Sequence, residues 1–330
     1  MKPTLTVFTP SYNRLHTITR TFESLCRQSC HDFRWLIIDD GSSDGTRNWV
    51  LSLGKVLTAE GEAFNWMGRG TGAMTKDHFQ IEVPLESAPM QIEYVYKPNG
   101  GLYTGYNTAY HVVNTELCVC IDSDDWMPDN AVELICSSWN KRSAQEKATL
   151  AGLVGLDYNV VDKQPIGGLF ATNNEIEWIP DLNHRGDSKF VFRTELMRAV
   201  APQIGFEGEK DFNPHYMQMQ VIDRYQMVVL NENICWVEYQ IGIDSMSQAI
   251  FKQFVRSPRS YAKYRILEMT LQRHNGFRNK LRLCAHYVSS CLFANDRNWW
   301  NNCPLKFALI LSIPVGLALH LYIKYKAKRS

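Results

Sequence analysis

The sequence predicts an α/β protein built on a mostly parallel sheet, and three observations carry that reading. Apolar runs of strand length alternate with segments of helical periodicity through the first 125 residues. The runs are continuous rather than alternating, as in strands buried on both faces. Three of them also end at polar clusters, Pro10 to Arg14, Asp39 to Ser42 and Asp122 to Asp125. Parallel strands deliver ligand-binding loops beyond their carboxyl ends in this way.

Taken in order, Leu5-Thr6-Val7-Phe8 is a short strand stopped by Pro10. Ile18, Phe22 and Leu25 then recur at helical spacing, with Thr17 placed to cap the helix. Trp35-Leu36-Ile37-Ile38 is a buried strand, and Thr46 to Leu53 the helix after it. Periodicity fades beyond Gly54 for about forty residues, where Gly68, Gly70, Gly72, Thr71 and Thr75 suggest an irregular excursion closed by Pro84 and Pro89. Order returns with a strand at Ile92–Tyr96, a helix over Thr104–Val113 and a strand at Leu117–Ile121 that runs into the acidic cluster. Strands joined through helices imply right-handed βαβ units. Farther on, Leu150–Leu156 reads as a strand, Phe190–Val200 and Tyr216–Arg224 as helices, and Met227–Leu230 as a late strand. From Pro258 onward the chain reads as helical and basic.

A net charge of +1 gives no whole-molecule attraction to nucleic acid, and none is expected as a partner. Nine cysteines lie scattered without zinc or redox spacing, which favours reduced thiols in a cytosolic compartment. The N-terminus lacks the long apolar run of a signal peptide. Phe307–Ile323 holds 17 residues without Asp, Glu, Lys or Arg, interrupted by Pro314, Gly316 and His320. Trp299-Trp300 precede it and Lys324, Lys326, Lys328 and Arg329 follow, as anchors flank a membrane-associating segment.

Carboxylates separated by one residue at a strand end suit a nucleotide-diphosphate ligand. One faces the ribose, while the other holds Mg2+ or Mn2+, hard cations that prefer oxygen ligands. Asp122 and Asp124 have that spacing. Taken alone, the cluster could equally end a strand and cap a helix near Asp129. Asp39 to Thr46, with Gly41 and Gly45, likewise makes a turn and a cap.

Thr9-Pro10-Ser11-Tyr12-Asn13-Arg14, Ile37 to Thr46, Asn99-Gly100-Gly101 with Asn107, and Ile121 to Asp125 occur in that order. The set resembles glycosyltransferase family 2, inverting enzymes of the GT-A (nucleotide-diphospho-sugar transferase) fold, and more narrowly the bacterial members that build surface polysaccharides. The resemblance covers residues 4 to about 130. It implies a GT-A domain over 1–250, with 1–130 for the nucleotide-sugar and 131–250 for the acceptor, and a helical, membrane-associating appendage over 251–330. It also implies a hexosyl- or N-acetylhexosaminyl-transferase using a UDP-sugar and Mn2+ or Mg2+. The acceptor would be a saccharide or lipid-linked saccharide, met by a cytoplasmic enzyme peripheral on the inner membrane face. Donor binding would fall to Pro10, Tyr12, Arg14, Asp39, Gly101, Asn107, Asp122 and Ser123, and the metal to Asp124. Tyr12 would lie against the base and Asp39 would hydrogen-bond it. Glu209, Asp211 and His215 are the candidate general bases, with Asp187 a further one; related sequences carry Glu where His215 stands. A sugar nucleotidyltransferase is disfavoured because Thr9–Arg14 is not glycine-rich. A catalytically inactive nucleotide-sugar-binding subunit is the remaining alternative.

Overall fold

The computed structural model describes residues 2–60, 78–238, 250–273 and 276–329. Its elements run β1 (Leu5–Ser11), α1 (Leu15–Cys26), β2 (Phe33–Asp39), α2 (Thr46–Ser52), β3 (Lys55–Glu60), β4 (His78–Val83), β5 (Met90–Tyr96) and α3 (Leu102–Val112). There follow β6 (Leu117–Cys120), α4 (Ala131–Asn140), α5 (Ala144–Thr149), β7 (Leu150–Asn159), β8 (Ile176–Glu177), β9 (Ser188–Arg193), α6 (Thr194–Val200), α7 (His215–Ile222) and β10 (Gln226–Val237). The chain ends in α8 (Ile250–Arg256), α9 (Pro258–Thr270), α10 (Phe277–Ala294), α11 (Trp299–Asn302) and α12 (Lys306–Ala327). Two compact units result. Among the described residues, 2–100, 104–202 and 224–238 form the first, and 101–103, 203–223 and the helices from Ile250 onward form the second.

The first unit is one ten-stranded sheet in the order β3-β4-β5-β2-β1-β6-β9-β7-β10-β8. β5, β2, β1 and β6 are mutually parallel, with Leu5 opposite both Phe33 and Leu117. β9 inserts antiparallel between β6 and β7, and β10 runs parallel to β7. The carboxyl ends of β1, β2, β5, β6, β7 and β10 therefore share one edge of the sheet, joined there by the amino end of β9. That edge collects every polar strand end of the first unit that the sequence singles out.

Burial follows the apolar runs. Leu5, Val7, Trp35, Ile37, Leu117, Val119 and Ile121 are buried in one core with Ile18 and Leu25 of α1. Trp35 stacks on Phe22 and donates its indole N–H to Thr9 Oγ1 at 2.9 Å, satisfying the one polar atom that its burial would strand.

Some expectations change. Thr17 does not cap α1; the cap position is Arg14, and the Thr17 hydroxyl donates to the Arg14 carbonyl. The expected helix over Phe190–Val200 is half strand, because Val191 pairs with Val119 on one side and Leu153 on the other, and only Thr194–Val200 coils. Tertiary pairing overrides the local pattern there. Part of the expected excursion after Gly54 is ordered as the antiparallel pair β3–β4. Its glycine-rich stretch from Gly68 to Thr75 lies outside the described residues.

The second unit is helical. α10 and α12 pack along one another, with Leu283, Cys284, Tyr287, Val288, Ala308 and Leu309 buried together. The Ser312 hydroxyl donates to the Leu281 carbonyl at 3.0 Å, and a Cβ on Gly316 would meet the Val288 side chain at 2.6 Å. That glycine sets the close approach of the two helices.

Candidate active site

The loops after β1 and β2 are fastened into one surface. Asn13, in the left-handed region at φ 53, donates its backbone N–H to Ser42 Oγ at 2.9 Å. Its side-chain oxygen accepts from Ser43 N at 2.8 Å, and Asp44 accepts from Leu15 N at 2.9 Å. Asn tolerates that backbone conformation better than most residues. Asp40 N donates to the Ser11 carbonyl at 2.8 Å, while the Ser11 hydroxyl is buried without a partner.

Asp39 is fully buried and shapes this surface from beneath. One oxygen accepts from Ser42 N at 2.7 Å and the other from Tyr94 OH at 2.7 Å. Asp40 accepts from Gly100 N at 2.9 Å and pairs with Lys97, which pins the segment after β5 to the same loop. Gly41 has φ +87, and a Cβ there would stand 2.9 Å from Asn99 N. Only glycine fits. Pro10 touches α3 through Gly105, where a Cβ would lie 3.2 Å from Pro10 Cβ, and Asn107 is buried one half-turn on. Tyr12, by contrast, is half exposed.

The turn after β6 carries Asp122 and Asp124, both partly buried, and Ser123 and Asp125, both buried. Asp125 N donates to the Asp122 carbonyl at 3.0 Å, and the Asp125 carbonyl accepts from Thr21 Oγ1 at 2.7 Å. Burial and the neighbouring Asp122 raise the Asp124 carboxyl, while Arg14 and Lys189 draw it back. Arg14 is thus within electrostatic reach of Asp124. Tyr106 of α3 lies by the same turn, its phenol pushed well above its ordinary range by burial, Cys120 and Asp122.

Beneath the turn is a buried ion cluster. Lys189 Nζ is 3.2 Å from Asp125 and 3.7 Å from Asp157. Burial pushes Asp125 up to about 7; Lys189 lowers it, and Asp122, Asp124 and Asp157 raise it again. Asp157 goes up to about 6 through burial, opposed by Lys189 and reinforced by Asp187. Both values exceed the unfolded carboxyl, near ~3.9. A raised carboxyl binds more protons folded than unfolded, so its stabilising contribution is full below ~4 and is lost as pH rises through the folded value. Asp157→Asn removes that penalty. Its thermal midpoint relative to wild type should therefore rise between pH 4.5 and 7.5, read by scanning fluorimetry; a flat difference would contradict the assignment.

Among the described residues, no three His, Cys, Asp or Glu side chains form a metal cage. A hard divalent ion bound together with a diphosphate needs only one or two carboxylates, its shell completed by phosphate oxygens and water. Asp122 and Asp124 are oxygen donors that crowd each other's charge, and they fit that use.

The remaining candidates lie in the second unit. Glu209 is buried and accepts from Arg259 N at 3.1 Å, Arg259 Nε at 2.9 Å and Ser260 N at 2.8 Å, closing the amino end of α9. Asp211 accepts from Ser257 Oγ at 3.1 Å and pairs with Arg256 at 3.3 Å. His215 opens α7 with Nδ1 2.8 Å from Gln218 Oε1. Gly101 has φ +92, and a Cβ there would meet the Lys210 carbonyl at 2.4 Å. Asp187 is different: it is exposed, in the first unit, immediately before β9. Val119 pairs with Val191, so continuing that register brings Asp187 level with Ser123.

A family model described as "Glycosyl transferase family 2" matches residues 6–61, the stretch that builds the two fastened loops. Those residues carry the signature of family 2 glycosyltransferases. The chain is similar over 256 residues, at 21% identity, to the Escherichia coli enzyme UDP-Glc:alpha-D-GlcNAc-diphosphoundecaprenol beta-1,3-glucosyltransferase WfgD, an alignment that covers 76% of this chain and 83% of WfgD. It also resembles S. aureus TarS 1-349 in complex with UDP-GlcNAc, with TM-score 0.54, 16% identity, and 98% and 91% of the two chains covered. The UDP complex of the same protein gives TM-score 0.52 at 14% identity, with the same coverage. The chain therefore has the GT-A fold.

Lys189 and Asp157 have no role in the sequence reading of this glycosyltransferase. A signal for Asp157 existed: like Asp39 and Asp122, it follows an unbroken apolar run, here Leu150 to Leu156. Lys189 stands in Gly186-Asp187-Ser188-Lys189, a stretch that resembles the acceptor-side region of bacterial family members, but its pairing with Asp125 and Asp157 is visible only through the partners of β9.

Proposed function

We propose that the enzyme transfers a sugar from a UDP-sugar, with inversion at the anomeric carbon, to a hydroxyl of a lipid-linked saccharide at the inner face of a membrane. The observation that carries this reading is the meeting of Arg14, the Asp40–Ser43 loop and the Asp122–Asp125 turn at one sheet edge inside one compact unit. The nucleotides named for TarS and the lipid-diphosphate acceptor named for WfgD support the substrate classes.

In this reading the base lies against exposed Tyr12, over the loop that Asp39 shapes from within. Asp122 takes the ribose, and Arg14 lies by the phosphates. Pro10, Ser123 and Asn107 shape the walls of the donor pocket. Asp124 holds Mn2+ or Mg2+, which supplies charge neutralisation for the departing diphosphate. The acceptor hydroxyl attacks the anomeric carbon: its oxygen–carbon bond forms as the carbon–oxygen bond to diphosphate breaks on the opposite face. The hydroxyl proton needs an acceptor, and we assign that to Asp187. It is exposed, lies in the same unit as the acidic turn, and falls level with Ser123 when the β6–β9 register is continued. Screening UDP-sugars for Mn2+-dependent transfer to a lipid-diphosphate saccharide tests the whole. Preference for another nucleotide would overturn the UDP reading, and a product with retained anomeric configuration would overturn inversion.

Attachment to the membrane is assigned to α12, which is long and apolar enough to cross a bilayer. Its middle, however, runs beside Arg282 and His286 of α10, which line one cavity with Leu311, Ser312 and Val315. Spanning would carry Arg282 toward the bilayer centre, which costs roughly 3 kcal/mol or more. Lying in the interface avoids this: Phe307, Ile310, Val315 and Leu321 are exposed on α12, and Lys324 and Lys326 close it. Val315→Glu/Leu321→Glu changes only exposed positions. It should weaken binding to anionic phosphatidylglycerol vesicles about tenfold or more while the thermal midpoint holds; undiminished vesicle binding would refute the assignment.

A further inference from the structure

Lys189 is the second residue of β9, the strand that enters between β6 and β7. Its ammonium, only 12% exposed, is the cation that both Asp125 and Asp157 pair with. Asp157 is itself 3% exposed, and its other oxygen, Oδ1, is buried without a hydrogen-bond partner. Asp125 is gripped three ways: by Lys189 through its carboxylate, by Thr21 of α1 through its carbonyl, and by Asp122 through its N–H. The last residue of the acidic turn is therefore fixed to α1 on one side and to β9 on the other.

This arrangement divides the carboxylates at the sheet edge. Asp125 and Asp157 turn inward and spend their charge on one lysine. Asp122 and Asp124 remain partly exposed. Were the lysine absent, two buried carboxylates would face each other uncompensated, and the turn would lose the tie that sets its direction.

We propose that Lys189 is a positioning residue for metal-dependent donor binding, fixing the Asp122–Asp125 turn through Asp125 so that Asp124 is presented to the ion. The inference rests on the assignment of the metal to Asp124. A lysine that merely stabilised the fold would matter to melting and not to the metal. Partners that orient a metal ligand from behind typically alter metal affinity about 10–100-fold when removed.

The test measures UDP binding by calorimetry across a MnCl2 titration, with thermal midpoints, for wild type, Asp124→Ala, Lys189→Met and Lys189→Met/Asp157→Asn. Lys189→Met should raise the Mn2+ concentration for half-maximal UDP binding by about tenfold or more. The double variant should recover most of the lost thermal midpoint, since one uncompensated carboxylate is gone, yet keep the weakened Mn2+ response because Asp125 is still untied. Should Lys189→Met fail to fold, the double variant decides. A wild-type Mn2+ response in the double variant overturns the proposal, since recovery together with the midpoint means the lysine acted on stability alone. If Asp124→Ala also keeps its full Mn2+ response, the metal assignment itself fails and this inference falls with it. Loss in Asp124→Ala beside a normal response in both lysine variants overturns the lysine role alone.

Discussion

Asp124→Ala should abolish sugar transfer and erase the Mn2+ dependence of donor binding while leaving the fold intact. The aspartate is partly exposed at a turn, and its carboxyl is raised by burial and by Asp122. Its removal relieves repulsion, so the thermal midpoint should hold or rise slightly. Activity should fall by about 10³-fold or more, the scale of losing a principal electrostatic stabiliser of a developing charge. Asp124→Asn should behave alike. Normal turnover in either variant would remove Asp124 from the metal role.

Asp187→Asn should lower kcat by about 10²–10⁴-fold, the span that general-base assistance contributes, with the donor's affinity close to wild type. The side chain is exposed before β9, so the substitution is expected to leave the thermal midpoint unchanged. Glu209→Gln makes the informative contrast. That carboxylate receives two backbone N–H groups and the Arg259 guanidinium at the start of α9, and its loss should appear first as a lowered midpoint. A kcat loss in Glu209→Gln or His215→Ala exceeding that in Asp187→Asn, at equal midpoint, would move the base into the second unit.

What was legible in the sequence follows a physical division. β1, β2 and β6 are buried on both faces, so each reads as an unbroken apolar run, and the polar residues that end the runs mark the loops of the site. Gly41 and Gly45 were visible for a related reason, since few other residues accept those backbone angles. β9 was misread because Phe190, Val191 and Phe192 are consistent with either a helix or a strand, and only pairing with Val119 and Leu153 decides. The role of Lys189 stayed hidden for the same reason. Its partners, Asp125 and Asp157, are 64 and 32 residues away in the chain, and no local pattern records such a pairing. Glu209 and Asp211 drew attention as acids in a family-like segment, although their hydrogen bonds serve α9.

The insertion of β9 between β6 and β7 also bears on when the site comes into being. The loops of the first hundred residues can close over short chain separations, but the acidic turn acquires its lysine only after a strand some 64 residues downstream has threaded between two others. Long-range closure of that kind is slow relative to local pairing. During refolding, the two fastened loops should therefore become protected from hydrogen exchange before the acidic turn does. A fragment ending near residue 130 would carry the strand-end clusters of Pro10 to Arg14, Asp39 to Ser42 and Asp122 to Asp125 and still lack the cation that holds the turn.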